Sequence, residues 1–176
     1  MLDQMKMKRV NAQHVFKPFD CGDQDLNDFL LNDSKLYLKN LLAVTYVLET
    51  ESRTVAYFSV SNDKISVADT SKSIWRRLRR GFSHSLHRKD YPSVKVGRLA
   101  VDLDYQFSSI GTYLIEFIKT MFISRNRTGC AFITVDALRR ALPFYLKNDF
   151  LYLEEESLDF GKPTIQLYLN LNRYRE

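Results

Sequence analysis

Gly97-Arg98-Leu99-Ala100-Val101-Asp102-Leu103-Asp104-Tyr105-Gln106-Phe107-Ser108-Ser109-Ile110-Gly111-Thr112-Tyr113-Leu114 passes from an apolar strand through a polar loop into the start of a helix. The strand candidate is 94–101. The helix candidate is 110–122, where Ile110, Leu114, Phe117, Ile118 and Met121 make one apolar face. The first amides of a helix have no acceptor within it, and the helix dipole adds partial positive charge there. A turn of this kind binds a phosphate or pyrophosphate through main-chain N–H groups. Every strand–loop–helix unit presents such amides, so the loop alone is a weak signal.

Outward from this stretch, period-2 alternation and β-branched residues predict strands over 10–16, 43–49 and 54–60. The polar Thr50-Glu51-Ser52-Arg53 suits a hairpin between the last two. Asp23 can cap a helix within 23–40, where Leu26, Phe29, Leu30, Leu36 and Tyr37 recur at helical spacing. A shorter amphipathic helix over 71–80 sets Ile74, Trp75 and Leu78 against arginines and stops at Gly81. Further strands are predicted over 131–135, 150–153 and 164–169. A helix over 138–147 is kinked or broken in two at Pro143. This order predicts a single mixed α/β domain over 1–176, without repeats or a linker.

The 176 residues suffice for one hydrophobic core, and 45% hydrophobic with 27% charged residues is a globular composition. No apolar h-region opens the chain, and no apolar run approaches the ~20 residues of a membrane span. Cys21 and Cys130 match neither zinc nor redox spacing, and His14, His84 and His87 show no metal-ligand spacing. The expectation is a cytoplasmic protein with no metal and no membrane contact. Net charge is +5 but unevenly placed. Lys72, Arg76, Arg77, Arg79, Arg80, Arg88 and Lys89 fall within 71–89, which holds no acidic residue. Such a cluster either attracts a polyanion or is a solvated helix face, and Arg76, Arg77, Arg79 and Arg80 are its candidate contacts. Trp75 on the same helix is read as a core anchor ahead of a stacking platform for a base.

The full string 97–114 resembles motif A of the GNAT superfamily of acetyl-CoA-dependent N-acetyltransferases. In that family a Leu-Ala-Val-like tripeptide ends a strand and Gln/Arg-x-x-Gly-x-Gly/Ala follows. Leu99-Ala100-Val101 occupy the first place, and Gln106, Ser109 and Gly111 fall on the three signature positions. The resemblance implies that backbone groups of Leu99, Ala100 and Val101 pair with the pantetheine arm of acetyl-CoA. It also implies that the amides of Phe107, Ser108, Ser109, Ile110, Gly111 and Thr112 hold the pyrophosphate. The fold it implies is a mixed, twisted, mostly antiparallel sheet with helices on both faces. Ser109 departs from the family's first glycine, and Phe107 with Ser108 replace its common small and basic residues. A side chain at Ser109 either crowds the phosphate or donates its hydroxyl to it.

Phe19-Asp20-Cys21-Gly22, Leu26-Asn27-Asp28-Phe29-Leu30 and Tyr91-Pro92 resemble the GNAT subgroup that includes aminoacyl-tRNA-acetylating toxins. Ala141-Leu142-Pro143-Phe144-Tyr145-Leu146-Lys147-Asn148-Asp149-Phe150 resembles the family's Ala-x-x-Phe-Tyr-x-x-x-Gly-Phe ending, with Asp149 in place of glycine. The resemblance implies that the Tyr145 hydroxyl supplies a proton to the departing CoA thiolate. It places a carbonyl-polarising N–H at Val101. No general base is assigned, although Asp102 and Asp136 stand at strand ends. The expected reaction is direct acetyl transfer to a primary amine, with CoA as product. The acceptor stays open between an aminoacyl-tRNA, a small-molecule amine and a protein amine. A non-catalytic CoA-binding module is the rival of a different class. A homodimer and an antitoxin partner are further associations that the sequence leaves open.

Overall fold

The computed structural model describes residues 4–125, 128–154 and 161–175. Its seven strands are β1 (Lys6–Arg9), β2 (Val44–Glu49), β3 (Thr54–Ser66), β4 (Asp90–Val101), β5 (Phe132–Leu138), β6 (Leu151–Tyr152) and β7 (Thr164–Asn170). They lie in the order β1-β2-β3-β4-β5-β7-β6. The pairs β1–β2, β2–β3, β5–β7 and β6–β7 are antiparallel, whereas β4 and β5 are parallel, with Ser93–Lys95 beside Phe132–Thr134. The helices are α1 (Gln24–Asp28), α2 (Ser34–Lys39), α3 (Lys72–Arg79), α4 (Ile110–Ser124) and α5 (Leu142–Lys147). This is the mixed, mostly antiparallel α/β arrangement expected from the sequence. No described helix is long and apolar enough to cross a membrane.

The described chain forms two compact units, each with its own core. The first comprises Met1–Ser61 with Val96–Phe117. Its core packs Val10, Phe19, Phe29, Leu30, Val47, Tyr57 and Ala100. Val55, Ala56, Tyr57 and Phe58 of β3 are all fully buried, because an inner strand covered on both faces reads as a continuous apolar run. Arg98 of β4 lies over the Phe29 ring at 4.1 Å and the Tyr37 ring at 5.7 Å. A cation over ring faces ties the strand to the helical segment after Gly22.

The helix within 23–40 forms, with Asp23 capping the Leu26 amide at 3.2 Å. A π-helical turn, Phe29–Asp33, separates α1 from α2. There the buried Ser34 hydroxyl donates to the Leu30 carbonyl at 2.6 Å. The strand expected at 10–16 lies earlier, at β1. Val10 adds one more bond, to the Thr45 carbonyl, and then Asn11 turns the chain by accepting the Gln13 amide on its side chain. An Asx turn supplies the local acceptor that a ladder would otherwise provide. Val10 and Phe16 still pack in the first core, so the apolar alternation marks burial without ladder pairing.

The second unit comprises Asn62–Lys95 with Ile118–Glu176. Its core holds Ile65, Ile74, Trp75, Leu78, Tyr91, Phe132 and Tyr168. Helix α3 is capped by Ser71, whose hydroxyl accepts the Ile74 amide at 3.4 Å. Trp75 is buried 5.4 Å from the Tyr91 ring, so it anchors α3 to this core and offers no face to a base. Pro143 falls in the first turn of α5, after a 3₁₀ turn at Arg139–Ala141. Proline lacks the amide that an interior helical position needs, which is why the predicted helix breaks in two there.

Candidate active site

Strand β4 delivers the chain at Val101 into a 3₁₀ turn, Leu103–Tyr105, and then into the loop that precedes α4. The loop is braced within its own unit. Asp102 is wholly buried, and its carboxylate accepts the amides of Asp20 and Asp104 at 3.1 Å each. Arg53 Nε donates to the same carboxylate at 3.1 Å, while the Arg53 guanidinium also pairs with Asp104 at 2.9 Å. Leu103 returns a bond from its amide to the Asp20 carbonyl at 2.8 Å. The Gln106 side-chain amide donates to the carbonyls of Cys21 and Val101 at 3.1 Å each.

The partner segment is a turn fixed by its own side chains. Asp20 accepts the Gly22 amide and the Asn27 side chain at 2.8 Å each, and these bonds hold its carboxyl below the usual carboxylate range. Gly22 has φ +79°, the left-handed backbone that glycine adopts without a steric penalty. Sequence reasoning does not single out Asp20, Asn27 or Arg53 as functional, and it places Asp102 only at a strand end. The Asp-x-Gly pattern of 20–22 is the available signal, since Asp before such a turn bonds the amide two residues on.

Held in this way, the loop turns sharply. Phe107 has φ +61° and Ser109 φ +64°. The left-handed Ser109 explains why glycine suits its signature position. Ser108 donates its hydroxyl to the Tyr105 carbonyl, while Phe107, Ser108, Ser109 and Thr112 are exposed. The first amide that reaches back into α4 is that of Tyr113, to the Ser109 carbonyl at 3.0 Å. The segment 106–109 is a turn that leads straight into α4, and the leading amides of that helix have no partner within it. A 15-residue helix with such amides at its head attracts an anion through N–H groups and dipole together. The chain thus brings Gln106 to Thr112 into one turn directly after Leu99, Ala100 and Val101. Gln106 serves it as a brace, its side-chain amide engaged by two carbonyls.

Tyr145 belongs to the second unit. Helix α5 buries it to 6% exposure, against the rings of Phe144 at 5.1 Å and Phe150 at 5.2 Å. Burial raises its hydroxyl pKa, so the group keeps its proton across the neutral range. Asp149 takes the left-handed backbone, φ +67°, where the family ending has glycine. The Tyr174 hydroxyl donates to its carboxylate at 2.8 Å.

The arginines of α3 divide. Arg76, Arg77 and Arg80 are exposed, and Arg79 is half-buried. Arg77 is engaged inside its unit, where Nε donates to the Tyr168 hydroxyl at 2.9 Å and an Nη to the Tyr152 carbonyl at 2.6 Å. Neither strand-end carboxylate stands idle. Asp102 is the brace above, and Asp136 forms an ion pair with Lys95.

Comparison with known protein-family models finds no match. Solved structures do match. A tyrosine-to-phenylalanine mutant of KacT is 22% identical with TM-score 0.79, over 97% of this chain and 96% of its own. AtaT complexed with acetyl-methionyl-tRNAfMet is 21% identical with TM-score 0.75, over the same shares of the two chains, 97% and 96%. A mutant AtaT toxin bound to the C-terminus of the antitoxin AtaR and acetyl-CoA is 20% identical with TM-score 0.72, again over 97% and 96%. The chain has their fold. The GNAT-like architecture expected from the string 97–114 is therefore present along nearly its whole length.

Proposed function

We propose that this protein is a cytoplasmic GNAT N-acetyltransferase that moves acetyl from acetyl-CoA to the α-amino group of an aminoacyl-tRNA. The turn at 107–112 carries the reading: it sits at the head of α4, where the helix leaves its leading amides without a partner, in a chain with the fold of a structure that holds acetyl-CoA. Amides at the head of a helix fit a diphosphate, since they supply donors and partial positive charge without a basic side chain. The acceptor reading is supported by a neighbour complexed with acetyl-methionyl-tRNAfMet and by the exposed Arg76 and Arg80. A toxin-like activity of this kind calls for a restraining antitoxin, and a neighbour is bound to one.

Acetyl-CoA supplies an activated thioester. In the proposed reaction the turn amides hold its diphosphate, and backbone groups of Leu99, Ala100 and Val101 hold its arm. Val101 N–H is assigned to the carbonyl oxygen, where negative charge develops. The amine nitrogen bonds to the acetyl carbon as the carbon–sulfur bond breaks, the Tyr145 hydroxyl gives its proton to the sulfur, and the proton that the nitrogen sheds restores the hydroxyl through water. An α-amine with pKa near 8 is partly neutral in the cell, so it can lose its proton to water. That route needs no carboxylate base, in keeping with the engagement of Asp102 and Asp136. Calorimetry with acetyl-CoA, followed by thiol release over an amine panel, tests the assignment. Tight binding with amine-dependent thiol release is expected. Binding without release would instead mark a non-catalytic CoA-binding module.

A further inference from the structure

We infer that Phe107 is a specificity-determining residue of the acetyl-CoA site, and that its ring is the face on which the adenine of CoA stacks. The inference rests on the reading of 107–112 as the seat of the diphosphate. Phe107 is 104% exposed, the most exposed large apolar side chain described. It also has φ +61°, a backbone state that disfavours any residue with a Cβ. Leu41, with φ +57° and 92% exposure, shares this combination, but Phe107 is the one that stands in the turn assigned to the diphosphate. A phenyl ring on left-handed backbone, packed against nothing in the fold, contributes no core burial. Its use lies in what binds beside it.

The ring is also firmly based. Gln106, on one side, is held by the carbonyls of Cys21 and Val101, and Ser108, on the other, by the Tyr105 carbonyl. A ring on a fixed base loses little freedom when it stacks. In CoA the diphosphate joins the pantetheine arm to the 3′-phosphoadenosine. With the arm assigned to Leu99–Val101 and the diphosphate to the turn, the adenosine is the part of CoA left beyond the turn, and Phe107 is the exposed ring that the turn offers it. Adenine offers a broad π face, and base–aromatic stacking needs no hydrogen-bond partner.

The test compares two probes by calorimetry: CoA, and 4′-phosphopantetheine, which keeps the arm and one phosphate but lacks the adenosine. Phe107→Ala should weaken CoA about tenfold and leave phosphopantetheine within about twofold, the loss expected of one base–aromatic stack. Phe107→Trp should restore the CoA affinity. Thermal melting checks that both variants fold, as substitution of a fully exposed side chain allows. Unchanged CoA affinity in Phe107→Ala overturns the inference, and so does an equal loss for both probes, which would place the effect in the turn's backbone. Failure of the wild-type protein to bind CoA is a different result and overturns the acetyl-CoA reading itself.

Discussion

Asp102 and Asp20, 82 positions apart in sequence, meet through a 3.1 Å bond from the Asp20 amide to the Asp102 carboxylate. The bond joins the turn at 20–22 to the end of β4, one step before the loop that is proposed to hold the diphosphate. An acidic residue at the end of that strand is therefore a brace.

Asp102→Ala should cost roughly 1–3 kcal/mol in chemical denaturation, because it removes the shared acceptor of the Asp20 and Asp104 amides and of the Arg53 guanidinium. Asp102→Asn keeps one oxygen for the amides and should cost less. Both should loosen CoA binding in proportion to the mobility that the loop gains.

Ser109→Gly should raise stability by up to about 1 kcal/mol, since glycine relieves left-handed backbone while adding entropy to the unfolded chain. Asp149→Gly relieves the same strain but loses the bond from Tyr174, so its net change should be smaller. Thermal melts of the two variants side by side distinguish these cases. Calorimetry on Ser109→Gly then shows whether the hydroxyl assists or crowds the diphosphate.

Tyr145→Phe keeps the ring packing with Phe144 and Phe150 and should lower turnover about 10²-fold or more, with CoA affinity nearly unchanged. Burial raises the hydroxyls of both Tyr145 and Tyr57 above the ordinary 10.0. Turnover should climb toward about pH 8 as the acceptor amine loses its proton, with no loss from Tyr145 below pH 10. Above pH 10.0 the unfolded chain releases tyrosine protons that the fold retains, so stability is full below that pH and falls beyond it. Denaturation midpoints across this range check the sign.

Reversing Arg76 and Arg80 to glutamate should weaken tRNA binding and flatten its salt dependence, by about 0.7 in log–log slope for each phosphate no longer neutralised. CoA binding should be unaffected. Arg77→Glu should behave differently and lower the melting temperature, because Arg77 holds the Tyr168 hydroxyl and the Tyr152 carbonyl.

Much of this architecture is legible in the sequence because local signals and burial agree. Asp23 and Ser71 cap helices as their residue types suggest, and the apolar run in β3 marks an inner strand. The 10–16 segment misleads because alternation reports burial, while Asn11 decides the backbone. The π-helical turn at Phe29–Asp33 leaves no periodic trace that a two-turn window could separate from a plain helix. Within the candidate site, the turn at 107–112 is readable from motif and spacing. The brace through Asp20, Arg53 and Asp102 is not, since it joins three distant segments by side-chain bonds. Position within 71–80 likewise does not reveal that Arg77, exposed like Arg76 and Arg80, bonds the Tyr168 hydroxyl.

The most direct measurement incubates the protein with labelled acetyl-CoA and aminoacylated tRNA, with deacylated tRNA and free amines as parallel acceptors. Label is expected on the amino group of the aminoacyl-tRNA and none on deacylated tRNA, with transfer lost in Tyr145→Phe. Label on free amines alone, at rates unaffected by reversal of Arg76 and Arg80, would contradict that expectation.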